Sequence, residues 1–266
     1  SAQLLKILLH RQNEKKAPAI SNYAGSMFHR DGIDIVIVNP LPQLVTVPYG
    51  EHLLRRYVSK LTEAASWVES TPFDWCILTA SNIESYYDLY KTALAIAVDI
   101  ETYKENLAIR CIGYTAIFIC PTTGTISTHS SVLPLDSMFA VAWMRRYNLL
   151  PAEKILQNGK YDCAYLARYN APLHNYMWDT INLFHCWYSE MPKDLAFIQG
   201  YTLRKSMYWK DLAETSDLAE YYKYNARDTH ATANGWISMM LELPDYARHN
   251  YLSEFPLVFP CHLSEM

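Results

Sequence analysis

The strongest constraint in this chain is the apolar run Leu94-Ala95-Ile96-Ala97-Val98, which ends directly in Asp99-Ile100-Glu101-Thr102. An unbroken apolar run of this length reads as a strand buried on both faces, the kind found in the middle of a sheet covered by helices. Residues two apart on a strand share a face, so Asp99 and Glu101 point the same way. Two carboxylates side by side on one sheet face repel each other unless a cation sits between them. Two further segments carry acids: Asn158-Gly159-Lys160-Tyr161-Asp162 and Tyr224-Asn225-Ala226-Arg227-Asp228. The stretch 216–243 has helical character, which puts Tyr224 and Asp228 one turn apart on one helix face. Taken singly, Asp-x-Glu at a strand end is a solvated terminus, Asn-Gly is turn chemistry and Tyr-x-x-x-Asp is a surface pair. Taken together, Asp99, Glu101, Asp162 and Asp228 supply the hard oxygen donors that Mg2+ or Mn2+ prefers.

Composition fits a folded globular chain. With 266 residues, 50% of them apolar and 14% aromatic, the chain can bury a full core, and its length suits one main domain with an appendage. The formal net charge of −4 argues against a broad basic surface, so weak intrinsic binding to DNA is expected. The six cysteines (Cys76, Cys111, Cys120, Cys163, Cys186 and Cys261) show no C-x-x-C spacing and read as reduced, mostly buried thiols of a cytosolic protein. No apolar stretch approaches the roughly 20 residues that span a membrane, and no secretory signal is visible.

Periodicity organises the rest. Residues 1–32 read as a short helix and a loop, 33–38 as a strand, and 49–69 as an amphipathic helix with Leu53, Leu54, Val58, Leu61 and Ala65 on its apolar face. Strands follow at 75–79, 94–101, 110–120 and 124–129, with the turn Pro121-Thr122-Thr123-Gly124 between the last two. Three consecutive strands predict an antiparallel edge of the sheet. Helices are expected over 82–92, 136–149, 162–169, 181–187 and 246–258, with a short strand at 154–157. Asp179 reads as the cap of the helix at 181 rather than as a ligand. Met207-Tyr208-Trp209-Lys210 reads as packing or loop capping, with base stacking as the sharper alternative.

The three acid-bearing segments resemble the Exo I, Exo II and Exo III motifs of the DnaQ-like 3′–5′ exonucleases, in the DEDDy subclass whose tyrosine lies four residues before the last Asp. The likeness runs over about 73–243. It is nearest to the proofreading domain of family A DNA polymerases, through Gln157-Asn158-Gly159-Lys160-Tyr161-Asp162 and Asp99-Ile100-Glu101-Thr102. Lys223 stands five residues before Asp228, where the histidine of the DEDDh subclass would be.

The resemblance implies an α/β fold, RNase H-like, with a mixed central sheet flanked by helices and an N-terminal α/β extension. It implies two divalent cations, Mg2+ or Mn2+, with Asp99 bridging both, Glu101 and Asp228 completing the site of the attacking water, and Asp162 holding the second through water. Tyr224 would orient that water. Thr102, Asn158 and Tyr161 are the implied substrate contacts. The implied reaction is hydrolysis of DNA from the 3′ end to 5′-mononucleotides, on single-stranded DNA or a frayed primer 3′ end. The expected organisation is an extension at 1–71, an exonuclease domain at 72–243, and at 244–266 a helix leading toward the thumb of a polymerase domain in the same parent chain, in a bacterial or phage-infected cytoplasm. An RNase D-like exoribonuclease carries the same acids, and a non-catalytic nucleic-acid-binding scaffold of the same fold is the reading from a different class.

Overall fold

The computed structural model describes residues 2–9, 18–212 and 217–258, which fall into two compact units, Ser1–Ser70 with Glu190–Asp211 and Thr71–Ser189 with Leu212–Met266. The first unit opens with helix α1 (Ala2–Leu8), the strands β1 (Met27–Arg30) and β2 (Ile33–Val36), and helices α2 (Leu41–Thr46) and α3 (Gly50–Thr62). Strand β1 forms where a loop is expected from the sequence. Its signal is Asp31-Gly32, whose φ values of 52° and 77° provide the two-residue turn that matches strand twist.

Helix α3 also departs from expectation. Its buried side carries Leu53, Tyr57 and Lys60, whereas Val58 and Leu61 are exposed, and it ends at Thr62 rather than 69. The stripe turns because Lys60 is an internal tie. Its ammonium donates to the carbonyls of Gly25 at 2.5 Å and Gly200 at 2.6 Å and lies 5.0 Å from the Trp67 ring centre. Burial holds its pKa well below the ordinary lysine range.

The second unit continues with β3 (Trp75–Ile77), α4 (Ile83–Tyr90), β4 (Ala95–Thr102), β5 (Ile109–Ile119), β6 (Ile126–Pro134), α5 (Met138–Asn148), β7 (Glu153–Leu156), α6 (Gly159–Arg168), β8 (Tyr176–Asp179) and α7 (Thr180–Trp187). The chain then returns to the first unit with α8 (Leu195–Thr202) before α9 (Leu218–Glu242) and α10 (Asp245–Glu254) complete the second. A continuous domain over 72–243 is therefore not what the contacts show. Residues 190–211 fold with the N-terminal segment because they supply partners to it: the Gly200 carbonyl to Lys60, the Tyr201 hydroxyl to His52 at 2.6 Å, and Leu203 to a backbone bridge with Val68. In the same unit Tyr208 packs on Tyr23 at 5.0 Å and Trp209 is buried, which is the packing role expected for that aromatic run. At the other end, α10 belongs to the second unit. Tyr251 donates to the Met177 carbonyl at 2.9 Å and accepts from the Asp179 N–H at 2.8 Å. Residues 259–266, with Cys261, lie outside the described residues.

The second unit is built on a six-stranded mixed sheet in the order β3-β6-β5-β4-β7-β8. β4, β5 and β6 pair antiparallel, while β3 runs parallel to β6, β7 to β4 and β8 to β7. The antiparallel trio is thus interior, not an edge, as the two-faced burial of Ala95 to Val98 requires. Helix α9 crosses this sheet through small and polar residues. Ala226 and Ala233 are fully buried, and the Thr229 hydroxyl bonds Thr115 at 2.8 Å, which in turn bonds Ser130 at 2.8 Å. Among the described residues no helix is long and apolar enough to cross a membrane.

Of the described cysteines only Cys111 is buried, so the thiols are less enclosed than the sequence suggests. Cys120 sits on the turn after β5, where hydrogen bonds from Thr122 and Thr123 pull its pKa down to about 6. Alkylation by iodoacetamide should therefore be fastest at Cys120, with a rate that titrates near pH 6. Peptide mapping checks the site, and Thr122→Val should move that midpoint upward.

Candidate active site

Strand β4 delivers Asp99 and Glu101 to one face of the sheet, and α9 brings Asp228 against them. Carboxylate oxygens of Asp99, Glu101 and Asp228 all lie within 4.8 Å of one another. Asp228 is 5% exposed, while the strand acids are half-buried, so one side of the group remains open to solvent. Three carboxylates this close are a poor arrangement for an isolated protein and a good one for a hard divalent cation. The donor chemistry fits Mg2+ or Mn2+.

Asp162 stands outside this trio. It is 4% exposed near the start of α6, and its Oδ1 accepts the N–H of Ile100, the residue between Asp99 and Glu101, at 3.0 Å. Burial first, then the nearby charges of Asp179 and Glu101, push its pKa upward. The carboxyl is thus coupled to the strand acids through the backbone as well as through charge.

The start of α6 is set by Asn158, whose φ of 60° is left-handed, and by Asp179. Asp179 caps α7 by accepting from Ile181 at 2.9 Å, and it also accepts the Gly159 N–H at 2.8 Å and the Tyr176 hydroxyl at 2.8 Å. It is a shared cap for two helix starts, fully occupied by donors. That agrees with a structural role rather than a ligand role.

Two phenols stand over the acids. The Tyr224 hydroxyl is hydrogen-bonded to Asp228, and burial, reinforced by the charges of Asp228 and Glu101, drives its pKa far above the ordinary tyrosine value. Tyr221, one turn earlier, donates to Glu101 Oε2 at 3.2 Å and lies under the Arg110 guanidinium, which is 3.8 Å from its ring centre. Both phenols are neutral donors at any physiological pH. Neither Tyr221 nor Arg110 is singled out by the sequence pattern. The available signal for Tyr221 was its position three residues before Tyr224 on the same helix.

The implied substrate contacts divide. Thr102 and Tyr161 come together, hydroxyl to hydroxyl at 3.2 Å, and Tyr161 is 45% exposed. Asn158 instead lines a cavity of about 490 Å3 with Lys160, Asn182, His185 and Phe255. On α9, Lys223 pairs with Glu220 at 3.1 Å. Arg227 is half-buried, with its guanidinium 5.1 Å from the Phe73 ring centre. His230 faces away from the acids, toward Thr71 and Asn234.

No protein-family model and no curated protein matches the sequence. Among solved structures, the Aedes aegypti Nibbler EXO domain matches 70% of this chain and 100% of its own, at TM-score 0.50 and 10% identity. Escherichia coli RNase D, an exoribonuclease involved in structured RNA processing, matches 70% of this chain at TM-score 0.46 and 14% identity. The POL domain of Pol1 from M. smegmatis, in complex with DNA primer-template and dNTP, matches 67% of this chain at TM-score 0.46 and 14% identity. The chain spans 50% of the length of the RNase D chain and 28% of the Pol1 chain. The mixed sheet flanked by helices is the RNase H-like fold.

Neutralising one member of the trio should relieve repulsion. Glu101→Gln keeps the acceptor for Tyr221 and should raise stability in chelator at pH 7 by on the order of 1 kcal/mol. Urea unfolding in chelator at pH 7 reads this directly. Addition of Mn2+ should raise the wild-type Tm and do so less in the variant.

Proposed function

We propose that this chain is a metal-dependent 3′–5′ exonuclease that hydrolyses phosphodiester bonds at the 3′ end of a single strand or frayed duplex and releases 5′-mononucleotides. The observation that carries this reading is the convergence of Asp99, Glu101 and Asp228 within 4.8 Å beneath a phenol bonded to Asp228. Two Mg2+ or Mn2+ ions at such a site would activate a water and offset charge on the reacting phosphate. Asp99, Glu101 and Asp228 would hold them, with Asp162 as a further ligand.

The protein's own groups have defined work. Tyr224 cannot act as a base, because burial and the neighbouring acids keep its proton on the phenol. It is suited to hold a water by hydrogen bond beside Asp228. Tyr221 fixes the carboxylate of Glu101, and Arg110 against its ring keeps that phenol in place. Thr102 and the exposed face of Tyr161 lie at the end of β4, where a terminal sugar or base would meet them. The open side of the acid group admits a strand end.

DNA as substrate, with a proofreading role beside a polymerase domain, is supported by the second-motif sequence from Gln157 to Asp162. The acid group itself has no preference between deoxyribose and ribose, so an RNase D-like exoribonuclease is the companion reading. A gel assay on 5′-labelled DNA and RNA of one sequence separates them. A metal-dependent ladder shortening from the 3′ end is expected, and the preferred strand names the sugar. Asp99→Ala combined with Glu101→Ala should abolish the ladder, while Tyr224→Phe should slow it by about 10- to 100-fold. Full activity in the double variant would overturn the reading.

A further inference from the structure

We infer that Asn225 is a positioning residue for Asp99, holding one carboxylate oxygen so that the other is presented to the cation site. The inference rests on reading the acid trio as a metal site and adds to it a residue that no sequence motif marks.

Asn225 is 0% exposed, on the α9 surface that meets β4 and β5. Its Nδ2 donates to Asp99 Oδ2 at 2.7 Å and approaches the Asp99 carbonyl at 3.4 Å. The amide orientation follows from chemistry, since turning it over would set its carbonyl oxygen against a carboxylate oxygen. On the far side, Asn225 Oδ1 is buried with no hydrogen-bond partner. An orphaned acceptor of this kind is unfavourable, because it gives up its bonds to water and gains none in return. Ala226 and Ala233 are fully buried on the same helix, so small apolar residues bring α9 close to the sheet beside this amide. The amide is retained against its own burial cost, and its visible contact is with Asp99.

The partner strand is shaped around it. Gly113 is the register partner of Asp99 on β5. A Cβ at that position would stand 2.5 Å from Asn225 Oδ1 and 2.9 Å from Thr229 Cγ2. Two positions are thus committed to one carboxylate: Gly113 opens the space and Asn225 fills it. A neutral donor does this work better than a lysine or histidine would. It does not titrate near neutrality, does not compete with a cation for the trio, and draws charge toward Oδ2. Because Tyr224 precedes Asn225 and Asp228 follows it by three residues, the same bond sets the α9 groups in register with the strand acids.

The test is Mn2+ titration calorimetry on wild type, Asn225→Ala, the volume-conserving Asn225→Leu, and Asp99→Asn, with Tm in chelator and steady-state cleavage measured on each. Loss of the amide should weaken Mn2+ binding by roughly 10- to 100-fold and lower kcat, with KM for the oligonucleotide unchanged. Tm in chelator should hold in at least one of the two Asn225 variants. If Asn225 serves only the packing of α9, both variants lose Tm in chelator while keeping the wild-type Mn2+ affinity, and the inference is overturned. If wild type itself binds no Mn2+, the metal reading of the trio falls. If Asp99→Asn loses Mn2+ and the Asn225 variants keep it, the site stands and only the positioning role is lost.

Discussion

The docking of α9 on β4 and β5 is the contact on which the rest of the site depends. It forces Asp228 toward Asp99 and Glu101 against their mutual repulsion, so the attraction must come from elsewhere along the helix. Much of the length of α9 supplies it: Ala226, Ala231, Ala233 and Met239 are buried, and Thr229 joins the hydroxyl chain through Thr115 to Ser130. Small residues let the helix backbone come close to the sheet. The polar ones fix its register. A helix held by aliphatic residues alone could slide by part of a turn at little cost, whereas a hydroxyl chain and an amide contact penalise any slip by leaving buried groups unpaired.

Much of this could be read in the sequence, and the reasons are physical. Leu94 to Val98 is apolar on both faces, which only an interior strand satisfies, and the strand delivers its acids where the alternation says. The Tyr224 to Asp228 spacing needs only helical geometry. Asp179 was legible as a cap because the capping preference is local. What escaped depends on distant partners. Lys60 sits in the core because two carbonyls far away in the chain accept from it, and that turned the face of α3 away from its apolar stripe. The membership of 190–211 in the first unit has the same origin. Strand β1 is a different case, since the Asp31-Gly32 signal was present and local.

Within the site the same division holds. Acids that repel announce themselves by being close in sequence, as Asp99 and Glu101 are. Residues that make the repulsion tolerable do not, because Tyr221, Asn225 and Arg110 are ordinary in composition and gain meaning only when the helix and strand meet. Asp162 is intermediate. Its motif was visible, but its separation from the trio and its backbone tie to Ile100 follow from where α6 starts, and that depends on Asp179 and Tyr176.

The charge on the group is therefore carried by carboxylates alone. Tyr221 and Tyr224 each have a pKa raised by burial and by the acids they face, so both remain protonated and both donate. An ionised phenol beside this trio would add a further negative charge. A neutral one instead orients an acid, or a water beside it, without changing the charge that draws in a cation. Asp162 responds in the same sense to its surroundings: burial raises its pKa, so its ionisation is opposed by the protein alone, and any cation nearby would favour it. Were a cation to load the trio, as proposed above, its binding and the charge state of Asp162 would be linked, and the start of α6 would respond to the occupancy of the site on β4.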